Sequence, residues 1–270
     1  MYVLQMYYFL SLFLLNKSLK FANIFHLLMP LIKLDAIDST NDFLKQLFKE
    51  SAVEDYAIVM ANRQTKGKGQ MGAKWISEPG KNLTMSILVK DIQLNNQNIY
   101  DFNIAVALSV IKVLKNIQIP NVTIKWPNDI MADSKKVAGI LIENLVKPDG
   151  SFTAIVGVGL NLNQTNFENL PQATSLKCIT GKTYQPEHLA LLLKDSLLEN
   201  RETLNMNSDL LWSDYHENLY KKDYPSPFED KNGNRFMGII KKVTRDGKLE
   251  VILEDDSILY FEVKEVKMLY

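Results

Sequence analysis

The sequence predicts an α+β fold, a mixed sheet with flanking helices followed by a small C-terminal β-barrel. Three observations predict it. Strand-like and helix-like segments are interspersed with hairpins and lack the regular βαβ alternation that a doubly wound parallel sheet needs. Beyond Asp223 the pattern changes to short alternating segments separated by Asn232-Gly233 and Asp246-Gly247, both hairpin-turn dipeptides. The 270 residues are 46% hydrophobic and 23% charged, which is too apolar for a disordered chain and enough to fill a sizeable core.

The elements follow in order. Leu31–Ile37 reads as a strand, and Asp38-Ser39-Thr40-Asn41 supplies N-cap chemistry for a helix with Phe43, Leu44, Leu47 and Phe48 on one face. Tyr56–Arg63 is a buried-type strand, Gln64–Lys74 a polar glycine loop, and Leu83–Lys90 another strand. Phe102–Ile117 has helical spacing and is stopped by Pro120. Val122–Trp126 and Ile130–Ala132 flank the turn residues Pro127-Asn128-Asp129. Val137–Leu145 and Phe152–Leu162 form a hairpin around Pro148-Asp149-Gly150, and helices follow near 186–203 and 208–220. After Tyr224-Pro225-Ser226-Pro227-Phe228 come strands at Arg235–Val243, Lys248–Leu253 and Ile258–Val263. A barrel that small is expected to lean on the larger body for stability.

The expected segments are therefore 1–28, 29–222 and 223–270. The first is apolar and uncharged before Lys17, lacks the basic start of a secretory signal, and is short for a membrane span of roughly 20 residues. It reads either as a short membrane-associated anchor or, the preferred reading because domain patterning begins at Leu31, as an extension outside the fold with Met29 as the expected initiator. The 31 basic and 31 acidic residues balance, so nothing in the overall charge attracts nucleic acid. One cysteine, Cys178, excludes an internal disulfide, and with three histidines it excludes a Cys/His zinc site. A cytoplasmic protein is the expected class.

Three loops can carry chemistry. Gly67, Gly69 and Gly72 satisfy G-x-G-x-x-G after a strand, but Ala73–Asn82 leaves no room for the crossover helix whose N-terminus would hold a pyrophosphate. What survives is a loop bearing Lys66, Lys68 and Lys74, either an anion-binding loop or a solvated hairpin. In the second loop, Lys125-Trp126-Pro127-Asn128-Asp129, a turn holds a lysine, an amide and a carboxylate. Seven residues later Lys136 opens Lys136-Val137-Ala138-Gly139-Ile140. If these strands pair, Lys136 returns to Asp129 and each stabilises the other's charged form. The same residues also suit a plain turn with a surface ion pair. The third loop, Gly157-Val158-Gly159-Leu160-Asn161-Leu162-Asn163, places glycines inside an apolar strand. They mark either the approach of a ligand or backbone, or a strand thinned for packing, and two-residue alternation would put Asn161 and Asn163 on one face.

Together and in this order, Asp38-Ser39-Thr40-Asn41, the Gln64–Trp75 loop, KWPND at 125–129, KVAGI at 136–140 and GVGLNLN at 157–163 resemble biotin protein ligase, of the type without an N-terminal DNA-binding domain. The resemblance runs from about Leu31 to the C-terminus. It implies a catalytic domain over 29–222 related in fold to class II aminoacyl-tRNA synthetases, with an SH3-like domain over 223–270. The implied reaction forms biotinyl-5′-AMP from biotin and ATP, with Mg²⁺ on the triphosphate and no protein metal site. The biotinyl group then passes to a lysine of a biotin carboxyl carrier protein domain.

Residue by residue, the resemblance implies catalytic roles for Lys136 and Lys68, with Asp129 orienting the acceptor amine. Ser39, Thr40, Asn41, Gln64, Lys68, Gly69, Gln70 and Lys136 fall at biotin-site positions, and Trp126 is placed against biotin's valeryl chain by residue type. Lys68, Gln70, Trp75, Asn128, Lys136 and Asn161 fall on the ATP side. The chain departs from the family at the loop, where many members carry arginines at the positions of Lys68, Gln70, Met71 and Ala73. Without a guanidinium, Gln70 cannot clamp a carboxylate or phosphate bidentately. The 28 apolar residues are too short for a helix-turn-helix, so no specific DNA partner is expected, while a homodimer through sheet edges is admitted. Alternative readings are a lipoate or octanoate ligase of the same superfamily and a non-catalytic biotin or adenylate sensor.

Overall fold

A computed structural model describes residues 31–92, 99–147 and 151–269. The 1–28 extension and the Pro148-Asp149-Gly150 turn lie outside the described residues. The described residues pack as two compact units, one drawn from 31–92, 138–147 and 151–194, the other from 99–137 and 195–269.

In the first unit, strand β1 (Leu31–Ile37) leads into helix α1 (Thr40–Glu50) and strand β2 (Ile58–Gln64). β1 and β2 pair in parallel, so this is a single βαβ step. Ser39 is the N-cap, its Oγ accepting from the Asp42 N–H at 3.4 Å. Leu44 is fully buried, and Phe43, Leu47 and Phe48 pack around it with Val59, Leu88 and Ile155, as the 3.6-residue spacing predicts. Strand β2 starts two residues later than expected because Tyr56 takes φ +59°.

Strands β3 (Leu83–Ile92), β6 (Lys135–Val146) and β7 (Phe152–Leu160) complete the sheet of this unit. The order is β1-β2-β3-β7-β6, antiparallel after the first pair. The short helix α3 (Leu176–Thr180) has no counterpart in the sequence reading. Its five residues make barely more than one turn, held by the Ser175 N-cap and by Gly181 at φ +74°.

The second unit contains helix α2 (Ile99–Asn116), the antiparallel hairpin of β4 (Val122–Lys125) and β5 (Asp129–Ala132), and helix α5 (Ser208–Glu217). Helix α4 (Pro186–Met206) carries the chain across the boundary between units. Helix α2 presents Ser109 to Ser196 and Asn200, whose Nδ2 donates to Ser109 Oγ at 2.9 Å. Helix α5 ends at Glu217, three residues before the expected end, and Asn218 caps it.

Residues 223–270 pack in this unit with 94–137 and 195–222. They form a five-stranded antiparallel sheet ordered β11-β10-β9-β8-β12. Its strands are β8 (Pro225–Asp230), β9 (Arg235–Val243), β10 (Leu249–Leu253), β11 (Ile258–Phe261) and β12 (Val266–Met268). β9 coincides with its expected bounds, and Gly233 and Gly247 take φ +86° and +85° in the two hairpin turns. β8 was not expected, because Pro225 and Pro227 argue against a strand. The ladder with β12 uses only Phe228, Glu229 and Asp230, so the two prolines stand where no β12 residue needs their missing N–H. The architecture is thus α+β with a mixed sheet and a small C-terminal antiparallel sheet.

Candidate active site

A buried polar network forms where α1 begins beside the first unit's sheet. Thr40, Asn41 and Ser86 are almost fully buried. Gln64 Oε1 accepts from the Thr40 N–H at 2.8 Å and from Thr40 Oγ1 at 3.1 Å. Ser86 Oγ lies 2.7 Å from Thr40 Oγ1 and 2.6 Å from Asn41 Oδ1. The Asn41 amide donates to Glu143 Oε2 at 2.9 Å and to the Leu141 carbonyl at 3.4 Å. A carboxylate only accepts, so Glu143 fixes which end of Asn41 points at Ser86. Likewise Gln64, its oxygen occupied by Thr40, keeps its amide as the donor end. Such a network offers both donors and acceptors to a small polar ring, and buried networks of this kind are rigid when satisfied.

Thr40, Asn41 and Gln64 were expected here. Ser39, at the same helix start, is buried as the cap. Ser86 and Glu143 were missed. Ser86 reads as an ordinary polar residue in an apolar strand, and Glu143 as one member of an alternating strand. Their pairing with Asn41 spans 45 and 102 residues of chain, beyond any local signal.

Beside the network lies a cleft of about 680 Å³, lined by Gln64, the Thr65–Gly69 stretch, Gly72–Ser77, Leu141 and Glu143. The glycine loop is folded on itself: Gly69 N–H donates to Ala73 C=O at 2.7 Å and Trp75 N–H to Gly67 C=O at 2.9 Å, around a 3₁₀ turn at Gln70–Gly72. Lys68 pairs with Asp42 at 2.6 Å and Lys66 with Asp38 at 2.8 Å. The hydrogen bond to Asp42 holds the Lys68 ammonium above the usual lysine range, with Asp42 and Glu143 adding attraction. Lys68 and Gly69 line the cleft, whereas Gln70 does not. Strand glycines seat two of these side chains. A Cβ at Gly157 would stand 2.5 Å from Asn41 Oδ1, and one at Gly159 would stand 2.3 Å from the Trp75 ring. The Trp75 ring therefore packs against β7 at Gly159, at the cleft wall.

Asn161 is buried just past the end of β7, and its amide donates to the Thr174 carbonyl at 3.0 Å. The expected shared face with Asn163 is not formed. β7 stops at Leu160, so strand alternation no longer applies, and Asn163 exchanges hydrogen bonds with the Tyr184 backbone instead.

In the second unit, Lys125 stands directly opposite Asp129 in the β4–β5 ladder, and Lys136 Nζ lies 2.5 Å from Asp129 Oδ1. The strand pairing thus returns Lys136 to the carboxylate. Lys125 was noted from the sequence only as the lysine of this turn, without a site role. Burial pushes its ammonium down to about 8; Lys136 and Lys267 push the same way while Asp129 opposes them. Two lysines around one carboxylate leave net positive charge, suited to an anionic phosphate or carboxylate. Asn128 and Trp126 lie half-buried in the connecting turn, with the Trp126–Pro127 peptide cis. The Trp126 indole N–H donates to the Gly247 carbonyl at 3.0 Å. Among the described residues there is no cluster of three or more His, Cys, Asp or Glu side chains placed to hold a metal ion.

Comparison with known proteins agrees with this chemistry. Residues 34–163 match the biotin/lipoate A/B protein ligase family. The bifunctional ligase/repressor BirA of Bacillus spizizenii is 34% identical over 158 residues, 56% of this chain and 47% of that protein. The biotin–[acetyl-CoA-carboxylase] ligase of Mycobacterium tuberculosis is 33% identical over 141 residues, 51% of each. The matched stretch thus spans about half the length of these relatives. The structure of biotin protein ligase from Aquifex aeolicus in complex with biotin and ATP superposes with a TM-score of 0.71 at 27% identity, covering 88% of this chain and 98% of that one. Residues 34–163, which hold the polar network, the glycine loop and the Lys125–Asp129–Lys136 cluster, are thus the part of the chain that matches the biotin/lipoate A/B protein ligase family.

Proposed function

We propose that the chain is an ATP-dependent biotin–protein ligase, with residues 29–222 as its catalytic domain and 223–270 as an appended SH3-like domain. The observation that carries the reading is the ion pair between Lys136 and Asp129, which joins the two most family-specific stretches of sequence into one charged cluster. In the first step an oxygen of the biotin carboxylate attacks the α-phosphorus of ATP. A P–O bond forms, the bond to the β-phosphate breaks, and pyrophosphate leaves with the electron pair. Carboxylate and α-phosphate repel, so the charges of Lys136 and Lys68 offset that repulsion as the two approach. Mg²⁺ on the triphosphate supplies further charge neutralisation. In the second step a neutral carrier lysine attacks the acyl carbon, the bond to the phosphate oxygen breaks, and AMP departs. Asp129 is suited to orient that amine and accept its proton.

The ureido ring of biotin offers one carbonyl acceptor and two N–H donors. Thr40, Asn41, Gln64 and Ser39 supply the matching groups, with Gly69 close by in the loop. The ring face of Trp126 suits the apolar valeryl chain, since its N–H is already engaged by Gly247. Trp75, Asn128 and Asn161 fall to the nucleotide. Gln70 supplies an amide in place of a guanidinium, so the adenylate is held less firmly there. The partner is a biotin carboxyl carrier domain, without specific DNA, and the setting is cytoplasmic. Among the described residues no helix is long and apolar enough to cross a membrane. A dimer would use sheet edges.

Incubation with biotin, ATP, Mg²⁺ and a carrier domain tests the reading by mass spectrometry. One added biotinyl group on one carrier lysine is expected. A modified carrier in the lipoate reaction alone would transfer the chain to the sister activity.

A further inference from the structure

The turn between β9 and β10, Thr244–Lys248, is held more firmly than a surface hairpin requires. Arg245 Nη1 lies 3.5 Å from Asp101 Oδ1 at the start of α2, and its Nη2 pairs with Asp209 of α5. Its guanidinium sits 4.8 Å from the centre of the Trp212 ring, whose N–H donates to the buried Asp101 carboxylate at 2.5 Å. Gly247 has two separate reasons to be glycine. The turn needs φ +85°, which explains the Asp-Gly pair. Independently, a Cβ at Gly247 would stand 1.9 Å from Cε1 of Tyr100 and 2.3 Å from its Cδ1 and Cζ, a contact that turn chemistry does not call for.

The product of this double anchoring is a fixed carbonyl. The Gly247 oxygen receives the Trp126 indole N–H at 3.0 Å. Trp126 is joined to Lys125 by one peptide bond, and Lys125 faces Asp129, which in turn holds Lys136. We infer that the Thr244–Lys248 turn is a positioning element for the Lys125–Asp129 loop, with the Gly247 carbonyl acting through the Trp126 indole to set where the two lysines and the carboxylate stand. The C-terminal sheet thereby takes part in the reaction without touching substrate, and Gly247 and Trp126 form one positioning pair. The kinetic consequence rests on the ligase reading; the contact itself does not.

Two single variants and their combination test it. Gly247→Ala forces the turn off Tyr100, and Trp126→Phe removes the indole donor while keeping a smaller aromatic ring. Each is expected to lower the turnover of biotin-dependent ATP–pyrophosphate exchange about tenfold, and Gly247→Ala to do so with the KM for biotin unchanged. The double variant is expected to be no slower than the slower single one, since both break the same link. Two readouts are independent of activity. In the ¹H–¹⁵N spectrum of Gly247→Ala the Trp126 indole resonance should move and lose protection from exchange. The titration of Lys125, whose ammonium faces Asp129, Lys136 and Lys267, should shift in both single variants. Additive losses in the double variant would overturn the inference, as would an unmoved Lys125 titration in Trp126→Phe. Should the wild-type chain exchange pyrophosphate with no acid, the ligase reading fails alone, and the indole and lysine signals still decide whether the turn sets the loop.

Discussion

Lys136 Nζ stands 2.5 Å from Asp129 Oδ1, and Lys125 faces the same aspartate across the β4–β5 ladder. With side chains 34% and 26% exposed, the Lys136–Asp129 pair adds little to stability, about 1 kcal/mol at most. Its value is the placement of charge. Lys136→Met should therefore keep the fold while lowering the adenylation rate by about 10²–10³-fold, the cost typical of losing one preorganised charge-stabilising group. Stopped-flow measurement of pyrophosphate release, paired with circular dichroism, checks both halves. A variant retaining most of its rate would remove Lys136 from the reaction.

Lys125 carries the pH prediction. Burial holds its folded-state value near 8, below that of an exposed lysine at about 10.4. Between those two values the unfolded chain binds more protons than the folded one, so stability should rise with pH across that window. Below pH 8 the full cost of the charged, buried Lys125 is present. Urea unfolding from pH 7 to 10.5 should show the rise, and Lys125→Met should flatten it. Asp129→Asn removes an attraction that supports the ammonium, so the Lys125 titration should then fall below 8.

The glycines of β7 are predicted to matter through the side chains they seat. Gly157→Ala drives a methyl group to 2.5 Å from Asn41 Oδ1, and Gly159→Ala drives one to 2.3 Å from the Trp75 ring. Each should cost about 1–3 kcal/mol of stability by overpacking. Their kinetic signatures should differ. Gly157→Ala should raise the KM for biotin through Asn41, and Gly159→Ala the KM for ATP through Trp75. Identical profiles for the two variants would contradict these assignments.

Gln70 lies in the 3₁₀ turn at the tip of the loop. Restoring a guanidinium with Gln70→Arg allows a bidentate, charge-assisted contact worth about 1.5–3 kcal/mol. Release of preformed biotinyl-5′-AMP should slow by about tenfold or more, measured by filter retention after removal of ATP. An unchanged release rate would place the tip outside the adenylate site.

Much of this was legible locally. The Ser39 cap, the apolar face of α1, the β4–β5 turn and the return of Lys136 to Asp129 all follow from short-range spacing. So do the Asn232-Gly233 and Asp246-Gly247 hairpins. What escaped depends on distant pairing. β8 was hidden by its prolines, which are tolerated only because β12 ends its ladder at Phe228. Ser86 and Glu143 enter the polar network only after three strands and a helix meet. The depressed Lys125 ammonium needs Lys136 and Lys267 beside it as well as burial, and Lys267 lies 142 residues further along the chain. Asn163 left its expected face because β7 ended at Leu160, two residues sooner than expected.

The central claim is that this chain activates biotin with ATP. Biotin-dependent exchange of labelled pyrophosphate into ATP tests it most directly, with lipoate and octanoate run in parallel. The account predicts exchange with biotin, none with the other two acids, and its loss in Lys136→Met. Exchange with lipoate or octanoate in place of biotin, or biotin binding by a folded sample without any exchange, would contradict it.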